Sequence, residues 1–344
     1  MANAFLVSIE VRCLLARRLS IKYDGLEIGK TPMLVPSLSS RINMDLIKIN
    51  NVISETIEGP ILVSAYDLMY SNDFSPFPES TLVFVDSGGY ECAKSQEISD
   101  FGFYRPDPYE WNRYMHAETI KKLETIPTKI VISYDHPNEK SPVKEQIENA
   151  NNLFKKKEGI LKEFLIKPEC IHPSKINMES VIQNINPDNL AAFDIVGFTE
   201  KELGFSIFER MIAIANIRRE MDKQDLNIPI HIFGSLDPII TPLYYLSGAD
   251  IFDGLAWMRF IFSTGRTLHY ESFGPYHFEN GIHENTEKTF YKTLSENYKY
   301  IIILNNNLKE FQTTGDYNLL SPDSNIVEFI KRSYFNMLKE LEAK

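Results

Sequence analysis

Several short β-branched or aromatic runs of this sequence end in residues able to do chemistry. Leu82–Val85 leads into Asp86-Ser87-Gly88-Gly89-Tyr90, and a later run ends in Asp135-His136. Others are followed by Cys170 and His172, by Gly197, by Gly234-Ser235 and by Asp253-Gly254. Two carboxyl groups at one site suit glycosidic chemistry: one attacks or stabilises an oxocarbenium-like C1′ while the other handles a proton. Gly88-Gly89 lets backbone approach a flat ligand and offers amide donors, and Tyr90 offers a stacking face. Each residue also has a plainer use. An Asp after a strand caps the next helix, a Gly pair makes a turn, a Tyr packs at a rim, and His172 before Pro173 is a loop residue. Their recurrence at the same end of successive runs is what argues for a site.

The elements that must position these residues alternate in type. Strand-like runs lie at 33–35, 61–65, 82–85, 129–134, 163–167, 192–196, 228–233 and 250–252. Amphipathic stretches fall between them at 43–50, 108–123, 144–157, 178–185, 206–221 and 238–247, with apolar residues at helical spacing such as Phe208, Met211, Ile212 and Ala215. The link containing Ser75-Pro76-Phe77-Pro78 reads as a loop. Eight strand-helix units predict an α/β fold, a (β/α)8 barrel over residues 1–270, with a helical extension over 271–344 whose helices lie at 287–305 and 325–342. The competing doubly wound sheet lacks its Gly-rich first turn. In a barrel the chemistry sits at the carboxyl ends of the strands, so Asp86 and Asp253 are expected on nearly opposite sides of one mouth, with Asp135 beside the first.

Composition sets the class. With 36 Lys and Arg against 47 Asp and Glu, the 344-residue chain carries a net charge of −11. At 43% hydrophobic and 24% charged residues it reads as globular. No apolar run approaches the roughly 18 residues of a membrane span. The start, Ala4-Phe5-Leu6-Val7 broken by Glu10 and Arg12, is not a secretory signal, so no membrane association and a cytoplasmic location are expected. Cys13, Cys92 and Cys170 are too few and too scattered for a disulfide framework or a local zinc site. The acidic balance disfavours a protein that holds nucleic acid by bulk charge. Basic residues nevertheless cluster at Lys121-Lys122, Lys129, Lys155-Lys156-Lys157, Lys162 and Lys167, and Arg259 and Arg266 follow Asp253. The lysine run reads first as a solvated face, and secondly as a phosphate-binding strip near the mouth.

Six segments, in order, resemble the tRNA-guanine transglycosylase superfamily across residues 31 to 266. Val85-Asp86-Ser87-Gly88-Gly89-Tyr90 carries the first likeness. Thr31-Pro32-Met33-Leu34-Val35-Pro36 is similar to the family's T-P-x-F-M-P-V strand, and Ile61-Leu62-Val63-Ser64-Ala65-Tyr66-Asp67-Leu68 to its I-L-x-N-T-Y-H-L segment. Ser133-Tyr134-Asp135 resembles F-D-E, Phe233-Gly234-Ser235-Leu236-Asp237-Pro238 resembles G-x-G-T-P-E-D, and Gly248-Ala249-Asp250-Ile251-Phe252-Asp253 resembles G-x-D-x-F-D. Trp257-Met258-Arg259 replaces the family's P-T-R.

The resemblance implies a barrel enzyme, a pentosyltransferase that exchanges guanine in a nucleic acid for a 7-deazaguanine. It implies Asp253 as the nucleophile at C1′, forming a covalent glycosyl intermediate, and Asp86 as general acid/base. It places Ser87, Gly88, Gly89, Gly197, Gly234 and Arg259 in the substrate site, Tyr90 stacked on the base, and Asp135 on its Watson–Crick edge. The target nucleotide must leave its stack first.

Three departures matter. No cysteine follows Cys170, so the family's C-x-C-x-x-C zinc cluster cannot form, and neither a metal nor another cofactor is expected. Glu91 stands where the family has Gln, and Ala192-Phe193 where it has Gly-Gly. No role is carried to Lys167 or His172. Without the zinc subdomain the reading inclines from tRNA toward DNA, as in the more divergent DNA-guanine transglycosylases of 7-deazaguanine DNA-modification systems. Expected partners are that nucleic acid, the 7-deazaguanine base, and a second copy of the chain or a different subunit. The alternatives are a non-catalytic partner subunit of such an enzyme and a hydrolase of free nucleosides.

Overall fold

Strands that are apolar on both faces must be covered on both faces, which is the condition of a parallel barrel wrapped by helices. The computed structural model describes residues 15–42, 49, 59–70, 82–93, 107–123, 126, 128–155, 157–278 and 285–343. An antiparallel hairpin, β1 (Ser20–Tyr23) and β2 (Leu26–Lys30), precedes the barrel. The barrel strands are β3 (Met33–Leu38), β4 (Ile61–Ser64), β5 (Leu82–Asp86), β6 (Thr128–Ile132), β7 (Leu161–Ile166), β8 (Ile195–Thr199), β9 (Ile230–Phe233) and β10 (Ile251–Gly254). All pair in parallel with their sequence neighbours, and β10 closes the ring onto β3 with Asp253 opposite Val35. A second hairpin, β11 (Phe260–Ser263) and β12 (Arg266–His269), leads out of the barrel.

The described helices of the wrap longer than four residues are α1 (Ala65–Tyr70), α2 (Arg113–Lys121), α3 (Val143–Phe154), α4 (Met178–Asn184), α5 (Ile207–Lys223) and α6 (Ile240–Leu246). Asn112, Asn177 and Ser206 cap three of them by accepting the first free amides. The extension consists of α7 (Tyr270–His277), α8 (Thr286–Thr314) and α9 (Ser324–Glu342). Helix α8 begins at the Asn285 cap and stops at Gly315, whose φ of 69° is left-handed. Buried Asn297 ties α8 to the barrel: its Nδ2 donates to the carbonyls of Trp257 and Phe260, both at 2.6 Å, and its Oδ1 accepts from Phe262 N at 2.7 Å.

Alternation along each strand decides what faces inward. Met33 and Val35, Leu62, Phe84, Ile130 and Ile132, Leu165, Ile195, Phe233 and Ile251 fill the barrel interior. Leu34, Val63, Val85, Val131, Phe164, Val196, Ile232 and Phe252 pack outward in the helical layer. The same parity sends Ser37, Ser64, Asp86, Glu163, Gly197, His231 and Asp253 inward.

The predicted barrel is the observed fold. Three details differ. The strand expected at 192–196 runs from Ile195 to Thr199, because Asn186 and Pro187 start a helical turn and Phe193 is spent packing on Phe164 and Phe154. Gly197 is therefore inside β8, not at its end. The two hairpins fall in segments with no predicted strand. Most described lysines of the cluster lie at the opposite end from the mouth: Lys129 and Lys162 are second residues of β6 and β7, Lys121 ends α2, and Lys122 and Lys155 are the C-caps of α2 and α3. Lys129 Nζ donates to the carbonyls of Leu123 and Ile126, a structural task. Among the described residues of that group only Lys167 is at the carboxyl ends. The expected helix at 43–50, apart from Ile49, the loop at 75–78, Cys13 and Lys156 lie outside the described residues. Among the described residues no helix is long and apolar enough to cross a membrane.

Candidate active site

Asp86 is the last residue of β5 and the next inward position after Phe84. Protein atoms crowd its carboxyl at the rim. That burial, followed by the charges of Glu91, Asp135 and Asp253, pushes it well above the usual carboxylate range. The turn behind it is built by its own contacts. Ser87 Oγ donates to Asp135, and Gly89 N donates to Ser87 Oγ at 3.2 Å. Gly88 sits at φ +86°, where a Cβ would fall 2.8 Å from Trp111 and Tyr66. A Cβ on Gly89 would fall 2.6 Å from the Asp135 carboxylate. These glycines thus make room for Trp111, Tyr66 and Asp135.

Across the mouth, β10 presents Asp253, which is 5% exposed. Two groups donate to it and a third lies close. Ser37 Oγ donates to Oδ2 at 2.7 Å, Gly234 N donates to Oδ1 at 3.0 Å, and His231 Nε2 lies 3.3 Å from Oδ1. Ser37 is itself oriented by accepting from Gly254 N at 3.0 Å. Gly234 has φ +80°, and that turn aims its N–H at the carboxylate. Below, His231 Nδ1 is 2.7 Å from Glu163 Oε1, and both side chains are fully buried. Burial opposes a charge on His231, but Glu163 and Asp253 outweigh it and hold the imidazole up to about 9. Gly197 leaves space for this pair, since a Cβ there would be 2.8 Å from Glu163 Oε1 and 2.6 Å from Phe233.

Asp135 accepts from Ser87 and lies 3.6 Å from Lys167 Nζ, which also pairs with Glu202 at 2.8 Å and donates to Thr199 at 2.9 Å. Burial works against the Lys167 charge, and Asp135 and Glu202 overcome it, so the group is raised. A crevice of about 360 Å³ opens beside it between β6, β7 and α3, lined by Asp135, His136, Lys140, Gln146 and Lys167 among others. Tyr90 is less open than its sequence position suggests. The Arg41 guanidinium lies 4.1 Å from the ring centroid, Arg41 also donates to the Tyr90 carbonyl at 2.7 Å, and Arg259 donates to the phenol oxygen at 3.0 Å. One face of the expected stacking ring is therefore covered, and Arg259 reaches Tyr90. Arg266 is drawn away to Asp323 at 2.6 Å.

Behind the Asp86 turn, Glu91 is 5% exposed and accepts from Ser39 Oγ at 2.5 Å. Burial, then the charge of Asp67, pushes it up to about 7. Asp67, accepting from Ser40 N at 2.9 Å, is pushed by burial to about 6.

The structure thus gathers Asp86, Ser87, Gly88, Gly89, Asp135, Gly234 and Asp253 at one mouth, with Tyr90 and Arg259 at its edge; Gly197 lies deeper, level with His231. Cys170 and His172 are exposed beyond β7. Ser37, Glu163 and His231 were missed by sequence reasoning. For Glu163 and His231 the available signal was an ionisable residue at an inward position of an otherwise apolar strand, costly unless paired. Among the described residues no three His, Cys, Asp or Glu side chains are grouped to hold a metal ion. No protein-family model matches the chain, and no curated protein matches its sequence.

Proposed function

We propose that the protein is a guanine transglycosylase that replaces a guanine in nucleic acid, DNA ahead of tRNA, with a 7-deazaguanine. The observation that carries this reading is a pair of carboxyl groups on one barrel mouth in opposite environments. Asp86 is crowded and flanked by acids, whereas Asp253 faces a cationic imidazole and two further donors. Such divergence is how two like residues divide acid and nucleophile roles. The six family-like segments, which include both acids, supply the substrate class.

In this reading Asp253 attacks C1′ of the extruded nucleotide. The C1′–guanine bond breaks as the C1′–oxygen bond forms, and Asp86 gives its proton to the departing base. The incoming 7-deazaguanine returns a proton to Asp86, attacks C1′ from the vacated side, and releases the Asp253 carboxylate. Two inversions give retention. Oδ1, held by Gly234 and approached by His231, is the fixed oxygen; Oδ2 carries one hydroxyl donor and is the attacking one. Asp135 and the backbone of the Ser87–Gly89 turn supply acceptors and donors for the base.

The test is incorporation of labelled guanine and labelled 7-deazaguanine into tRNA and duplex DNA side by side. The expected result is exchange into one polymer, abolished by Asp253→Asn in a protein that keeps its far-ultraviolet circular dichroism. Absence of label from both polymers while a known transglycosylase succeeds overturns the reading.

A further inference from the structure

Within an interior lined by Val35, Phe84, Ile130, Ile132, Leu165 and Ile251, the described strands carry Glu163 and His231 side by side. Neither reaches solvent, since both are 0% exposed. Phe233 stacks on the imidazole with centroids 4.0 Å apart, and Phe84 meets it edge-on at 5.6 Å. A fully buried acid–base pair costs several kcal/mol to desolvate, and apolar side chains of similar volume serve stability as well or better. Its place in the fold offers a different explanation: the far nitrogen of the ring lies 3.3 Å from Asp253 Oδ1.

We propose that Glu163 and His231 are positioning residues that hold Asp253 in attacking geometry and keep a fixed positive charge behind it throughout the reaction. The inference rests on the transglycosylase reading for what Asp253 attacks. Its physical core is charge compensation. While Asp253 is a free carboxylate, the imidazolium has an anion on each side. Once Asp253 becomes a glycosyl ester that anion is gone, and a buried imidazolium without a counter-ion sheds its proton. Glu163 on Nδ1 supplies the remaining anion. The imidazolium therefore persists through the ester state and stabilises the carboxylate that must leave in the second half-reaction. Gly197 serves the same arrangement, because any Cβ on β8 at this level displaces Glu163.

The ionisable groups acting on His231 are Glu163 from β7 and Asp253 from β10; β5 and β8 contribute Phe84 and Gly197. Burial and these two anions act on the ring in opposite senses, and the anions prevail.

The experiment has two arms. In the first, imidazole nitrogen NMR follows the titration of His231 in the wild type, in Glu163→Gln and in Asp253→Asn. The expected midpoint is well above the ordinary 6.5 and falls in both variants. A midpoint near 6.5, or one unmoved by Asp253→Asn, overturns the proposal whether or not exchange is detected, and Asp253→Asn serves if Glu163→Gln does not fold. In the second arm, Glu163→Gln is expected to lower kcat for exchange about 10- to 100-fold, the range carried by one charge-assisted hydrogen bond. KM is expected to change less than about threefold, because the lost interaction matters in the transition state and not in binding. The alkaline limb of the pH–rate profile moves to lower pH. Exchange with unchanged kcat and an unchanged profile overturns the proposal while leaving the transglycosylase reading intact. Absence of exchange in the wild type fails that reading alone.

Discussion

Glu91→Gln is expected to make the protein more stable in neutral and alkaline solution and to leave it nearly unchanged in mild acid. Glu91 stands where the resembling family carries Gln, and it is buried against Ser39 beside Asp67. Burial and Asp67 raise it from 4.5 to about 7. In the unfolded chain the proton leaves near the lower value, so between about pH 4.5 and 7 the folded state binds more proton than the unfolded one. Stability is then fully present below 4.5 and is lost as pH rises through about 7. At about 1.4 kcal/mol per pH unit, that interval amounts to roughly 3 kcal/mol. Gln keeps an oxygen for the Ser39 hydroxyl and has no charge to desolvate. Urea unfolding, an uncharged perturbation, followed by the fluorescence of buried Trp111 and Trp257 from pH 4.5 to 8.5 measures the difference. The wild-type curve is expected to fall across this window, and the Gln curve to fall less, ending about 3 kcal/mol higher at most. Parallel curves, or a variant less stable at pH 8, refute the account of Glu91 as a buried carboxyl kept costly by its surroundings.

Two other substitutions probe the frame. Arg218→Met leaves Asp250 without the cation that donates to it and without a substitute, since both are 0% exposed, and is expected to cost about 3–5 kcal/mol in urea unfolding. Adding Asp250→Leu to it is expected to recover a large part of that loss, and a further loss contradicts the charge argument. Gly197→Ala forces a Cβ against Phe233 and Glu163 and is expected to lower stability by about 1–3 kcal/mol. It should also lower the His231 titration midpoint, by moving Glu163; an unmoved midpoint contradicts the packing role given to Gly197.

Much of the fold is legible in the sequence because each barrel strand is a short apolar run, and the helices between them carry their spacing and caps locally. The end of β5 and the end of β10 are legible for the same reason: Asp86 and Asp253 follow directly on apolar runs. His231 is hidden inside its run and Glu163 at the head of its run, where a single polar residue does not disturb the apolar pattern, and Ser37 is hidden because β3 runs on past Pro36 to Leu38. Only the period-two parity of β3, β7 and β9, together with barrel closure between β10 and β3, brings them next to Asp253. The lysine cluster misleads for a complementary reason. Proximity along the chain joins helix ends to strand starts, and in a parallel barrel those meet on the face away from the mouth.

Strand β10 and the residue before it show how the fold divides labour between like groups. Asp250 precedes the strand on its outer side, and Asp253 lies three positions on, facing inward at the opposite end. Asp250 receives Arg218, whose other donors are spent on the carbonyls of Gly248 and Ile228, and it also accepts from Ile230 N at 2.8 Å. A guanidinium does not give up its proton near neutrality, so this pair can only hold structure. Asp253 instead faces an imidazole whose charge depends on the carboxylates around it, Glu163 first and Asp253 second. A guanidinium at the mouth would hold its charge without Glu163, whereas the imidazole needs that second carboxylate once Asp253 is esterified. The type of cation opposite each carboxylate, more than the carboxylate itself, separates the residue that stabilises from the residue proposed to react.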